Sequence, residues 1–552
     1  MKTNFTILAL LIFCFNGSAQ IANTKGDFKV TWGAEYEFPK KHSDLGFWKG
    51  SKGGYINISY QEGKTMIVQR FDPKMKYIGE ETIDLSDFPS NFISEGIRRM
   101  EDRFYWFYSL WDKPNEKEQL YAQELDVDAG KLKGSAKKIV ETTKIAGSGY
   151  VQKGWYNMQM AGKYNFSKSR DTKSLLITYR HPPMDKDDSK NYDRMGWMVF
   201  NSSMEKEWGK ENLKMPYTEE MMDNLGYDID SKGSVYMLAR VREPNWKQLQ
   251  KDKKGYNHFE VLRLDEKSDG FGKIILNPGT RWVRAVHFFE DAAGDMLLSG
   301  FYSNTEKGAG TNGIFIMKVD RDALSAKEVK KGFYEFPTEV LKQFESERTK
   351  KKMDKADEKA KKDGDDEEGG MEASNLVLQD IESLDDGSLV LSAEEYYSVT
   401  TRSTMNGHTT TSTTYYYNDI LAMKINPDGE MAWVKKIPKR QVGGSGRGGL
   451  SFAMYTMNDS QYYFYLDNIK NLSLSTDKEP AVHKDGAGGF LVYTKIDPNG
   501  VLTKGQIMDL REEEVSIYGS EFELIDDTQI VTRAKVKKLS KILSLQLAAK
   551  NK

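Results

Sequence analysis

The sequence is almost without cysteine. Its single thiol, Cys14, lies in an N-terminal segment that reads as a removable leader. A mature chain with no thiol has no disulfide, no cysteine–zinc site and no cysteine nucleophile. Histidine is scarce too. The six histidines (His42, His181, His258, His287, His408 and His483) are scattered, no two sit at metal-ligand spacing on one element, and no His-Glu-x-x-His occurs. No metal and no cofactor is expected. After the leader, no run approaches the roughly 18 apolar residues that a spanning helix requires, so no transmembrane segment is expected. The formal net charge of −2 lacks the basic excess that displaces counterions from nucleic acid, so no nucleic-acid partner is expected.

The leader has the parts of a secretory signal. Lys2 supplies the positive start, Ile7 to Phe15 the apolar stretch, and Gly17, Ser18 and Ala19 the small residues before a cut at Gln20. Phe13 stands before Cys14 where lipid attachment needs a small residue. Residues 1–19 are therefore expected to be a signal peptide and 20–552 a single exported domain, periplasmic or extracellular. Disulfide-free export of so large a domain fits a bacterial cell envelope.

What the sequence does have is repetition. An alternating segment ending in an aliphatic residue or Phe and then Asp or Asn recurs seven times: Met66–Asp72, Leu120–Asp126, Trp197–Asn201, Phe259–Asp265, Ile314–Asp320, Leu421–Asn426 and Leu491–Asp497. Period-two alternation means strand, and the closing Asp or Asn means turn, clearest in Asn426-Pro-Asp-Gly429 and Asp497-Pro-Asn-Gly500. A turn followed by an apolar strand precedes each copy, as at Gly53, Gly233, Gly294 and Asp386, with weaker copies near Asp102, Asp171, Asp459 and Asp527. A third strand follows, best seen in Glu430–Ile437. Short antiparallel strands in units of this kind predict an all-β protein, a β-propeller of four-stranded antiparallel blades. Eight copies of one element against seven of the other leave the last unit without an outer strand. The isolated segment Val30–Phe38, with Trp32 in the place of Trp433, is expected to complete it. Eight blades fit best and seven next; a pair of β-sandwiches is the other architecture that such strands allow.

Two segments break the pattern. Residues 341–372 crowd lysines into one half and acids into the other, with too little apolar surface to offset the entropy of ordering. A disordered or partly helical insertion is expected there. Residues 400–414 are rich in threonine, which favours extended chain, and read as a long exposed hairpin. Around that hairpin, Leu391-Ser-Ala-Glu-Glu-Tyr396, Tyr417-Asn-Asp-Ile-Leu421, Lys424-Ile-Asn-Pro-Asp-Gly429 and Trp433–Gln441 form a segment that resembles one in exported, propeller-like bacterial envelope proteins of unassigned function. The resemblance covers residues 389–441, implies the fold class and the compartment, and brings no catalytic residues with it.

Catalytic signatures are absent. Gly444-Ser-Gly-Arg-Gly-Gly449 matches a dinucleotide fingerprint by letter, but the segment after it reads as a strand rather than a phosphate-binding helix. Asp228-Ile-Asp-Ser-Lys-Gly233 and Asp185-Lys-Asp-Asp188 carry too few oxygen ligands for a calcium loop and read as turns. The most suggestive polar group is Glu394 and Glu395 with Lys439, Arg440 and Gln441, a candidate binding site at the mouth of the ring or a structural ion pair. The two glutamates, adjacent in a strand, face opposite ways and cannot form an acid/base pair with each other. On these grounds the expected function is a non-catalytic binding or scaffold protein of the envelope, with an envelope protein or glycan as partner. The alternative is an envelope carbohydrate-active hydrolase or lyase whose carboxylates come from different blades. A channel mouth bearing carboxylates and aromatics would favour the alternative; one lined by Thr, Ser and aliphatic residues would not.

Overall fold

In a computed structural model of the chain, the described residues are 23–548 other than 62, 148–161, 185–189, 253, 307–309, 364–371, 406–407, 445–447, 487 and 520. The leader and Asp185–Asp188 lie outside them. The strands form eight sheets built on antiparallel meanders in chain order; the N-terminus adds two strands to the last, and in blade six Gln441–Gly443 also pairs with the third strand and, in parallel, with His483–Lys484. Blade one is Ser43–Lys49, Tyr55–Gln61, Thr65–Phe71 and Tyr77–Asp84. The first strands of the next six are Ile93–Met100, Tyr164–Lys168, Met222–Ile229, Trp282–Glu290, Leu376–Ser383 and Phe452–Met457; blade eight begins with Glu523–Asp526.

Each repeat copy falls where the pattern puts it. The Asp/Asn-terminated segments are third strands, and the turn-led apolar segments are second strands. The recurring acid is explained by its turn. Asp72 Oδ1 accepts from the Lys74 and Lys76 N–H groups at 2.8 and 2.9 Å. Asp497 does the same for Asn499 and Val501 at 2.9 and 2.8 Å. The side chain thus satisfies backbone donors that the reversal leaves unpaired. Gly500 closes its turn at a φ of +77°, a conformation that a Cβ disfavours.

Blade eight lacks an outer strand of its own. Phe28–Trp32 pairs antiparallel with Leu539–Leu547, from Phe28 opposite Leu547 to Trp32 opposite Leu543, and Asn23–Lys25 adds a fifth strand. Packing follows from the meander, because a sheet with two apolar faces must lie between two others. Eight apolar clusters occupy the spaces between neighbouring sheets. One of them joins the last blade to the first through Val531, Ile542, Tyr55 and Phe71. Polar contacts cross the same seam: Lys49 to Asp526 at 2.9 Å and Arg533 to Asp44 at 2.8 Å.

The insertion is partly helical, over Thr338–Leu341 and Glu347–Asp363, while 364–371 lie outside the described residues. Leu341 anchors it in the core between blades five and six. The threonine segment is a hairpin that prolongs the second and third strands of blade six. Thr400 lies opposite Thr413, and Tyr397 stacks on Tyr416 at 4.6 Å. No helix among the described residues is long and apolar enough to cross a membrane.

Phe28 is fully buried, with edge-to-face contacts to Tyr462, Phe464 and Tyr493 at 5.1–5.3 Å. Phe28→Ala is expected to cost about 3–5 kcal/mol. Denaturant unfolding measures the loss, and hydrogen exchange will show it as faster exchange along Leu543–Leu547.

Candidate functional site

The five residues singled out from sequence divide into three environments. Glu394, Lys439 and Gln441 are closed to solvent. Lys439 Nζ donates to Glu394 Oε1 at 2.6 Å, to the Tyr417 carbonyl at 2.9 Å and to Gln441 Oε1 at 3.2 Å. Ser451 Oγ and Gln379 Nε2 donate to Glu394 Oε2 at 2.8 and 3.3 Å. Gln441 is itself held by the Ser451 N–H and the Leu466 carbonyl. The group is an internal ion pair whose hydrogen-bonding capacity is taken up, and it does not line the ring's mouth. Arg440 is at the surface, 3.3 Å from Glu479.

Glu395 faces the other way, as the strand alternation requires, into a small cavity under the insertion with Asp419, Lys436, Glu345 and Met353. Burial pushes its carboxyl up to about 7, helped by repulsion from Asp419 and Glu345 and opposed by Lys436 and Asn418. Burial acts against the charge on Lys436, but Asp419 and Glu345 outweigh it and raise the ammonium above its usual value.

The mouth of the channel is elsewhere. Six first strands, from blades three to eight, supply residues to one cavity of about 480 Å³, within the usual size of a small-ligand site. Its lining includes Asp228, Glu290, Asp380 and Glu382 from blades four, five and six, the cations Lys168 and Arg170 beside blade three, and the aromatics Phe289 and Tyr455. Arg170 spans the channel: Nη2 donates to the Ser383 carbonyl of blade six at 3.2 Å and lies 3.6 Å from Asp385. Glu290 accepts from the Ser231 N–H at 3.0 Å and its hydroxyl at 2.8 Å, tying blade five to blade four. Glu382 accepts from the Thr456 hydroxyl of blade seven.

These acids are not ordinary surface carboxylates. Burial pushes Asp228 up to about 7; the Ile229 N–H opposes the shift, while Glu290 and Asp230 add repulsion. Burial also raises Asp380 against the Ile381 N–H. Glu382 is raised mainly by burial, with Thr456 and Arg170 acting against it and Asp380 and Asp385 with it. Three carboxyls of raised proton affinity, Asp228 on blade four and Asp380 and Glu382 together on blade six, around one cavity, are suited to proton transfer. None of the six histidines is in the lining.

Reading Asp228-Ile-Asp-Ser-Lys-Gly233 as a turn accounts for only one of its acids. Asp230 caps the turn, accepting from the Lys232 and Ser234 N–H groups at 3.0 and 2.9 Å. Asp228, two residues earlier, projects into the channel. The signal that finds it is position: it comes one residue before the end of a first strand, as Glu382 does.

No family model matches the chain, and no curated protein matches it. Solved structures similar to it include a post-proline cleaving enzyme from Rickettsia typhi, at 8% identity over 90% of this chain and 56% of that one, with a TM-score of 0.38. The β-propeller domain of the trilobed protease from Pyrococcus furiosus matches at 12% identity over 85% and 99%, TM-score 0.32. An oligogalacturonate lyase in complex with manganese matches at 10% over 83% and 97%, TM-score 0.31. The chain spans about half the length of the prolyl peptidases it matches. The non-catalytic binding or scaffold role expected from sequence is corrected by the channel mouth, which carries four carboxyls and two aromatic rings among its Thr, Ser and aliphatic side chains.

Two stability measurements test this electrostatic division. Lys439→Met strands a fully buried carboxylate and is expected to cost about 3–5 kcal/mol in denaturant unfolding, with Glu394→Leu in the same chain recovering most of the loss. Glu395 holds a proton in the folded state that the unfolded chain releases between pH 4.5 and about 7. The folded state then binds more protons, so stability falls as pH rises through that window. Glu395→Gln is expected to flatten the fall, as read from unfolding midpoints across pH.

Proposed function

We propose that the protein is an exported enzyme that cleaves a saccharide by hydrolysis at the channel mouth. The observation that carries this is geometric: Asp228 on blade four and Glu382 on blade six are half-buried carboxyls facing one cavity, with blade five between them. Breaking a glycosidic bond needs a proton delivered to the leaving oxygen and a proton removed from the attacking water, and two separated carboxyl groups serve those roles.

Asp228 is the proton donor, because burial keeps it protonated up to about pH 7. As the C–O bond breaks, its proton passes to the departing oxygen. Glu382, once ionised, takes the proton of the water that attacks the anomeric carbon; the Thr456 hydroxyl fixes one of its oxygens. Phe289 and Tyr455 offer flat apolar surface to a sugar ring. Arg170, anchored across the channel, adds a cation to the same lining. The signal-like leader and the resemblance at residues 389–441 support the cell envelope as the place of action.

Asp228→Asn and Glu382→Gln are each expected to lower kcat by about 100-fold or more on the saccharide that is cleaved, with unchanged circular dichroism. New reducing ends released from envelope polysaccharides provide the assay. Activity is expected to fall as pH rises past about 7, where Asp228 loses its proton. Full turnover by Asp228→Asn, or no cleavage of any polysaccharide by the wild type, would contradict the assignment.

A further inference from the structure

We propose that the saccharide taken at the channel mouth carries carboxylates, and that Lys168 and Arg170 clamp one of them; this rests on the saccharide-cleaving role of the same cavity. Lys168 ends the first strand of blade three and Arg170 follows two residues later, on either side of the buried Ser169. Arg170 opens the turn that the Thr172 N–H closes on the Ser169 carbonyl, and both side chains line the cavity.

The two cations differ in how they are held. Lys168 is exposed and has no ion-pair partner among the described residues. Arg170 is fixed, but both its contacts are made by Nη2, to the Ser383 carbonyl and Asp385. Nη1 and Nε make none among the described residues. A guanidinium fork already held across the channel, with donors left over, fits the planar geometry of a carboxylate. The ammonium beside it adds a second, mobile donor.

None of the four acids lining the cavity, Asp228, Glu290, Asp380 and Glu382, forms an ion pair with Lys168 or Arg170 among the described residues, and Glu290 is held by Ser231 instead. A neutral sugar is bound through hydroxyl groups, for which carboxyls and aromatic faces suffice. An unpaired ammonium and an anchored guanidinium in the same cavity serve an anionic substituent. A uronic acid places that carboxylate on the sugar ring itself, close to the glycosidic oxygen that Asp228 protonates.

Calorimetry on the full chain carrying Asp228→Asn, in which turnover is blocked, tests the clamp apart from the chemistry. The titrants are tetrasaccharides of α-linked and of β-linked uronic acid, each beside its methyl ester, which keeps the sugar and removes the charge. One acid is expected to bind at least about tenfold tighter than its ester, the worth of one charge-assisted contact. Adding Lys168→Ala is expected to erase that difference and its salt dependence, with the ester's affinity unchanged. Equal binding of acid and ester, no binding of either acid, or an acid affinity indifferent to Lys168→Ala would overturn the clamp. Acid binding without cleavage by the wild type would leave the clamp standing and remove the enzymatic role. Cleavage of neutral saccharides in preference to acidic ones would do the reverse.

Discussion

The structure depends on one constraint: a β-sheet that is apolar on both faces must be covered on both. Each of the eight sheets meets that need by lying between two others, and each space between sheets is filled by its own apolar cluster. Sheets stacked in this way splay outward and converge inward, so their first strands gather around a shared channel. The side chains there range from buried Glu290 to exposed Lys168. The channel is where polar groups far apart in sequence meet: Arg170 and Ser383, bonded across it, are 213 residues apart.

Buried charge is treated in two ways in this molecule, and the contrast separates framework from site. Glu394 sits beside Lys439 with every donor and acceptor of the pair engaged, the arrangement in which a buried ion pair is tolerable. Removing one partner is costly because nothing else can neutralise the other. Asp228 has no cation against it; its one backbone donor does not offset burial, so its proton affinity rises instead. A group in that state is poor for stability and useful for moving protons. Glu395 resembles Asp228 in its raised proton affinity but lies in a small cavity beneath the insertion with Lys436 nearby, which makes it a stability element rather than part of the mouth.

Much of the fold could be read from the chain before any coordinates, because its signals are local. The Asp and Asn turn caps, the period-two third strands and the long threonine hairpin follow from short-range pattern, and the pairing of Trp32's strand with the last blade follows from the count of repeat copies. The site could not be read in that way. First strands are partly exposed along their length and show little alternation, as in Ile93–Met100, so hydrophobic pattern does not mark which of their side chains face the channel. Asp228 was hidden by a neighbour, since Asp230 explains the turn and makes a second acid look redundant. Glu394 and Glu395 stand out in the sequence with Lys439, Arg440 and Gln441 within reach in the same unit, yet burial with Lys439 accounts for one and the insertion's cavity for the other.

The central claim is that the channel mouth, and no other surface, holds the substrate. Crystals of the Asp228→Asn protein soaked with a uronic-acid tetrasaccharide test it directly. The predicted result is a sugar chain lying over Phe289 and Tyr455, with its scissile oxygen between position 228 and Glu382 and a carboxylate against Lys168 and Arg170. Saccharide bound only on the threonine hairpin or the outer faces of the blades, with the mouth filled by water alone, would contradict it.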